Sequence, residues 1–204
     1  MFRLIAFDLD GTLVEFNIPF EEIRAVLGIG DRFVLESILS EKDESRKKEM
    51  LRVLEKYELE SAKNAKLAFY AKELLQFLRE KRIPHGIITR NSKKSVEMIS
   101  KKFGLEFDFV VTREDANPKP SPEPINLILR RFAVQPSYAL FVGDFLFDLL
   151  SGKNAGVKTA LIVHERNKNM VESFKIYADY IFSSLKELAD FLRREYDSER
   201  SSEI

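Results

Sequence analysis

The run Leu4-Ile5-Ala6-Phe7, followed at once by Asp8-Leu9-Asp10-Gly11-Thr12, decides the fold. Four apolar residues in a row suit a strand buried on both faces. The run ends abruptly on two carboxylates and a glycine. In an extended chain Asp8 and Asp10 share one face, and Gly11 lets the backbone turn sharply after them. Two like charges this close are unfavourable unless a cation is bound or one of them holds a proton. Alone, the pattern also fits an Asx-type turn or part of a calcium loop. The calcium loop fails, because its twelfth position is Pro19 where a glutamate is required.

Further along the chain, similar runs recur at Gly86–Thr89, Phe107–Val111, Ala139–Val142 and Thr159–Val163, with a weaker one at Tyr180–Phe182. Between them lie segments of helical spacing, such as Leu74, Leu75, Phe77 and Leu78, or Val96, Ile99 and Phe103 before a stop at Gly104. Strand and helix in alternation predict an α/β fold, a Rossmann-like parallel sheet flanked by helices. A closing amphipathic helix is expected over Leu185–Tyr196, with a frayed polar tail from Asp197.

One interval breaks the rhythm. Residues 15–68 read as an all-helical insertion after the first strand, carried by Ile23, Val26 and Leu27, by Leu35, Ile38 and Leu39, and by Leu51, Leu54 and Tyr57. The expected division is therefore a core of residues 1–14 and 69–204 with a helical unit at 15–68. The charged stretch Glu41–Glu49 reads as a solvated helix surface or turn.

Composition narrows the function. Lys plus Arg and Asp plus Glu both number 33, so no net field recruits nucleic acid or an anionic membrane. A phosphate-bearing ligand has to be held by local groups. No apolar run reaches the roughly 18 residues of a membrane span, and the N-terminal run is too short for a signal-peptide core, so a cytoplasmic protein is expected. Cysteine is absent, which leaves oxygen ligands and His85 and His164 for any metal. Both histidines sit beside strands and read as surface or turn residues. Oligomeric state has no sequence signal, and the charged fraction of 32% only hints at a thermophilic source.

In an open parallel sheet, ligands bind beyond the carboxyl ends of the strands. Those ends carry Asp8 and Asp10, then Thr89-Arg90-Asn91, and then Gly143-Asp144 with Asp148 four residues on. The loop after the third strand adds Asn117-Pro118-Lys119-Pro120. Thr89 offers a hydroxyl, and the amides of Arg90 and Asn91 at a helix start suit an anion. Lys119 lies between two prolines, which limit the entropy lost in aiming its ammonium. Asp144 suits Mg2+, which prefers hard oxygen ligands, and Asp148 falls on the same side of a helix beginning there, as an outer partner of the metal. Each feature alone has an ordinary explanation as a cap, a turn or a surface charge. Their joint occurrence in order is the signal.

That order, Asp-x-Asp-Gly-Thr, then Thr, then Lys, then Gly-Asp-x-x-x-Asp, resembles the haloacid dehalogenase-like hydrolase superfamily, and in particular its phosphoglycolate-phosphatase-like branch. The resemblance spans nearly the whole chain. It implies Asp8 as nucleophile and metal ligand, and Asp10 as acid/base with its backbone carbonyl on the metal. It further implies Thr89 and Lys119 on the substrate phosphate and Asp144 on Mg2+. The insertion at 15–68 matches the position of the family's helical cap, with Phe16, Asn17 and Phe20 near its hinge. Dehalogenases lack the second aspartate that Asp10 supplies, and P-type ATPases would show Asp-Lys-Thr-Gly. Many relatives have a Pro-Gly turn before the helix leading into strand two, where this chain has Leu67-Ala68-Phe69-Tyr70-Ala71. The expected function is Mg2+-dependent hydrolysis of a small phosphorylated metabolite. The alternatives are a phosphomutase, a receiver-like module and an inactive phosphate-binding protein.

Overall fold

The computed structural model describes the backbone of residues 1–200 and the side chains of residues 1–197. The strands are β1 (Leu4–Phe7), β2 (His85–Ile88), β3 (Phe109–Val111), β4 (Ala139–Gly143), β5 (Lys158–Ile162) and β6 (Tyr180–Phe182). The helices are α1 (Phe20–Leu27), α2 (Val34–Leu39), α3 (Glu44–Asn64), α4 (Ala71–Glu80), α5 (Lys93–Phe103), α6 (Glu123–Phe132), α7 (Leu146–Ala155), α8 (Val171–Phe174) and α9 (Leu185–Arg200). The chain forms two compact units. One holds residues 1–16, 66–90 and those from 105 onward; the other holds 17–65 and 91–104.

In the first unit every strand pairing is parallel, in the order β3-β2-β1-β4-β5-β6. Such an arrangement is a Rossmann-like sheet, and the order reverses between β1 and β4. Alternation along each strand sends side chains to opposite faces. Leu4, Ala6, Ala139 and Phe141 meet Ile125, Ile128 and Leu129 of α6 and Ala155 of α7 in one buried cluster. On β1 and β4 the intervening residues Ile5, Phe7, Leu140 and Val142 are equally buried, and α4 packs against β2 and α9, which in turn meets β6. Burial on both faces is why these strands read as continuous apolar runs.

The closing helix corrects one expectation. It carries its buried stripe Leu185, Leu188, Ala189, Leu192 and Tyr196 and then continues through Asp197 to Arg200. Asp197 is tied to Lys81 at 3.2 Å, and no Gly or Pro intervenes to stop the helix. The rest of the expected frayed tail lies outside the described residues. His85 also departs from its reading as a surface residue. It opens β2, is 3% exposed, and its Nδ1 donates to the Ile83 carbonyl at 2.8 Å.

The two chain segments that leave and re-enter the first unit run side by side. Val14 bridges Leu67 in antiparallel fashion, Glu15 N–H donates to the Lys66 carbonyl at 2.9 Å, and Ala68 N–H donates to the Leu13 carbonyl at 3.0 Å. The second unit contains α1, α2, α3 and also α5. Asp43 caps α3 by accepting the Arg46 N–H at 2.9 Å, so the charged stretch there is a helix start and its exposed face. Within this unit α5 packs on α3. The buried Glu58 carboxylate of α3 accepts the Ser92 N–H at 3.0 Å, satisfying a donor at the approach to α5. The sequence reading had not grouped α5 with the inserted helices.

Candidate active site

The site is built where the strand order reverses. Asp8 follows β1 and its N–H donates to the Val142 carbonyl of β4 at 2.8 Å, which brings the ends of β1 and β4 together. Asp144 follows β4, and Asp148 lies in the first turn of α7. Oxygens of Asp8, Asp144 and Asp148 all lie within 4.8 Å of one another, and all three residues are buried. Lys119 reaches them from the loop after β3. Its Nζ donates to Asp8 Oδ1 and to Asp148 Oδ1, both at 2.5 Å, and only 3% of the residue is exposed.

Two glycines make this crowding possible. Gly11 has φ +89°, a conformation that strains any residue with a Cβ. A Cβ there would also sit 2.2 Å from Asp144 Oδ2. At Gly143 a Cβ would lie 2.3 Å from the Asp148 Cβ. Side chains at either position would displace a carboxylate of the cluster.

The electrostatics follow from burial. Burial pushes the Asp8 carboxyl well above its ordinary range; the Lys119 charge works against that, and the charges of Asp148 and Asp144 add to it. Burial likewise raises Asp144, against the hydrogen bond from His164. Lys119 is itself pulled down by burial, but the charges of Asp148 and Asp8 outweigh that and hold it above its ordinary value. Three carboxylates against one ammonium leave an excess of acidic groups in a largely buried site. Such a donor set of hard oxygens fits a divalent cation of the Mg2+ kind. Among the described residues, Asp8, Asp144 and Asp148 form a group of side chains that could hold it.

The remaining expected residues take distinct places. Asp10 is half-buried in the turn after β1, bridged to Val14, and stands outside the carboxylate group of three. Thr89 is buried at the end of β2, its N–H donating to the Val111 carbonyl at 2.9 Å. Arg90 braces the Lys119 loop: its Nη1 donates to the Lys119 carbonyl at 2.8 Å, and its guanidinium lies 4.7 Å from the Phe147 ring centroid. Asn91 belongs to the second unit, just before the Ser92 cap of α5. Asp148, expected as an outer partner of the metal, accepts from Lys119 Nζ through Oδ1 and from the Phe145 N–H through Oδ2. His164 stands partly exposed in the loop after β5, in line with its reading as a surface or turn residue, and its Nε2 lies 2.9 Å from Asp144 Oδ2. Nothing in the local sequence signals that contact, because it is made by a loop beyond the next strand.

A buried Asp–Lys–Asp cluster thus stands at the switch point of a 3-2-1-4-5-6 sheet. Residues 15–162 match the family of haloacid dehalogenase-like hydrolases. The chain belongs to that family. Pyrophosphatase PpaX of Oceanobacillus iheyensis is 27% identical over 91% of this chain and 94% of its own length. N-acetylmuramic acid 6-phosphate phosphatase of Pseudomonas putida is 31% identical over 78% of this chain and 82% of its own length. Among solved structures, a haloacid dehalogenase-superfamily hydrolase of subfamily IA, variant 1, from Geobacter sulfurreducens superposes with a TM-score of 0.67 at 27% identity, covering 94% of this chain and all of that one. This haloacid dehalogenase-like hydrolase is therefore an enzyme with phosphatases among its relatives, and its match to the family model begins beyond Asp8 and Asp10.

Proposed function

We propose that this hydrolase is a Mg2+-dependent phosphatase that cleaves a small phosphomonoester, of the phosphoglycolate or sugar-phosphate kind, through an aspartyl-phosphate on Asp8. The observation that carries the reading is the Lys119 ammonium held between Asp8 and Asp148 inside a buried group of three carboxylates. Asp8, Asp144 and Asp148 would hold the ion, which when bound supplies positive charge that neutralises phosphate and carboxylate together.

Asp8, ionised, forms the bond to phosphorus while the bond from phosphorus to the ester oxygen breaks. Asp10 gives its proton to that departing oxygen. In the second half Asp10 takes a proton from water, the water oxygen bonds to phosphorus, and the acyl-phosphate bond breaks to restore Asp8 and release inorganic phosphate. Lys119, with Thr89 and the amide of Arg90, serves the phosphoryl oxygens, whose charge must be matched throughout. Phosphomonoester hydrolysis is so slow in water that the site must supply on the order of 20 kcal/mol.

Residues 15–68 serve as the substrate-selecting cap in this reading. Support comes from their insertion immediately after the turn that carries Asp8 and Asp10, and from the compactness of residues 17–65 with α5 as a unit of their own. The names of the relatives at 27% and 31% identity add pyrophosphate and an amino-sugar 6-phosphate to the substrates worth screening. The test is release of phosphate from p-nitrophenyl phosphate and from this panel, with Mg2+ and with chelator. Release that requires the metal is expected. Equal rates with chelator, or no release from any member of the panel, would overturn the reading.

A further inference from the structure

The loop after β5 makes a closed set of bonds with Asp144. His164 Nε2 lies 2.9 Å from Asp144 Oδ2. The Arg166 N–H donates to His164 Nδ1 at 3.2 Å. A backbone N–H can only donate, so Nδ1 is the acceptor and the ring proton sits on Nε2. With Nδ1 accepting, Nε2 is the ring nitrogen that donates to Oδ2. The His164 N–H in turn donates to Asn167 Oδ1 at 2.8 Å. Asn167, 2% exposed, donates through Nδ2 to the Asp144 carbonyl at 2.8 Å and to the Ile162 carbonyl at 2.9 Å. Both the backbone and the carboxylate of Asp144 are therefore held from one short loop.

From this geometry we infer that His164, seated by Asn167, is a positioning residue that holds the Asp144 carboxylate in place for the cation. The inference rests on the metal-dependent reading above. A ligating carboxylate free to rotate has to be ordered when the ion binds, whereas one already hydrogen-bonded is in place; partners of this kind are typically worth tenfold to a hundredfold in metal affinity. His164 does not touch the phosphoryl group in this scheme and takes no part in proton transfer. Its effect falls on the affinity for the ion.

The test uses two substitutions of similar size. Gln can place a side-chain N–H near the position of Nε2, whereas Asn, shorter by one carbon, places its amide near Nδ1. The whole protein, His164→Gln and His164→Asn are titrated with Mn2+ without substrate, free ion being counted by electron paramagnetic resonance and Mg2+ added as competitor. Wild type binding one ion, His164→Asn binding about tenfold to a hundredfold more weakly, and His164→Gln lying much closer to wild type is the expected pattern. An Asn variant that binds as tightly as wild type would overturn the positioning role and leave the metal-dependent reading standing. Equal losses in both variants would overturn the assignment to the Nε2 proton. Failure of the wild-type protein to bind either ion would overturn the metal-dependent reading itself.

Discussion

Lys119→Met is the perturbation whose consequences follow most fully from the structure. The ammonium is 3% exposed and stands 2.5 Å from both Asp8 Oδ1 and Asp148 Oδ1. At an effective dielectric of about 20, each pair attracts by about 7 kcal/mol before the cost of dehydrating the ions is set against it. What survives that cost is smaller: removing one partner of a buried pair typically destabilises by about 3–5 kcal/mol. The variant also leaves three carboxylates within 4.8 Å, each pair repelling by about 3.5 kcal/mol on the same scale. They can relieve the repulsion by taking up protons, which makes the loss depend on pH. Asp8 and Asp144 are already raised in the folded protein by burial, and losing Lys119 raises Asp8 further. A carboxyl raised on folding contributes stability that is fully present below its unfolded value and is lost as pH rises through the folded one. The deficit of Lys119→Met should therefore be about 3–5 kcal/mol near pH 8 and markedly smaller near pH 5. Urea unfolding in chelator at both pH values measures it. A deficit equal at the two pH values, or below about 1 kcal/mol at pH 8, would refute the claim that this ammonium neutralises the buried carboxylates.

Gly11→Ala combines a strained φ of +89° with a Cβ set 2.2 Å from Asp144 Oδ2; phosphatase kcat/KM should fall about a hundredfold or more, and near-wild-type turnover would count against the close packing of the turn on Asp144. Asp179 is opposed by burial, but hydrogen bonds from Lys153, Thr159 and Lys158 outweigh it and hold the carboxyl well below the usual range. A lowered carboxyl stabilises above its unfolded pKa, so Asp179→Asn should cost about 1–3 kcal/mol at pH 7, and the cost should shrink once the pH drops below about 4, measured by urea unfolding. Ala133 ends α6 with φ +52°; Ala133→Gly should gain about 0.5–1 kcal/mol, seen in calorimetry as a rise of about 1–4 °C in Tm.

Much of the fold can be read in the chain because doubly buried strands leave unbroken apolar runs. Their edges are less legible. Phe107 and Asp108 lie outside β3, and the Asp108 carboxylate accepts the N–H of His85, the first residue of β2, at 2.9 Å, a side-chain contact that no apolar run encodes. Sequence spacing placed Asp8 and Asp144 correctly at the ends of β1 and β4, since residues at strand ends inherit their position from the sheet. It placed Asp148 on the right side of α7, but could not show that Lys119, from a distant loop, bonds it. His164 was missed for the same reason: its bond to Asp144 depends on how the loop after β5 folds back through Asn167, and no periodicity encodes that.

The assignment of Asp8 is tested most directly by trapping. Asp10→Asn should slow the water attack while still allowing Asp8 to react with p-nitrophenyl phosphate, whose leaving group needs no proton. After mixing with that ester and Mg2+, the protein is quenched in acid, digested and analysed by mass spectrometry. One phosphoryl group on the peptide carrying Asp8, located at that residue, is the expected result. A phosphoryl group on any other residue, or an unmodified Asp8 peptide while nitrophenolate is released in a burst, would contradict it.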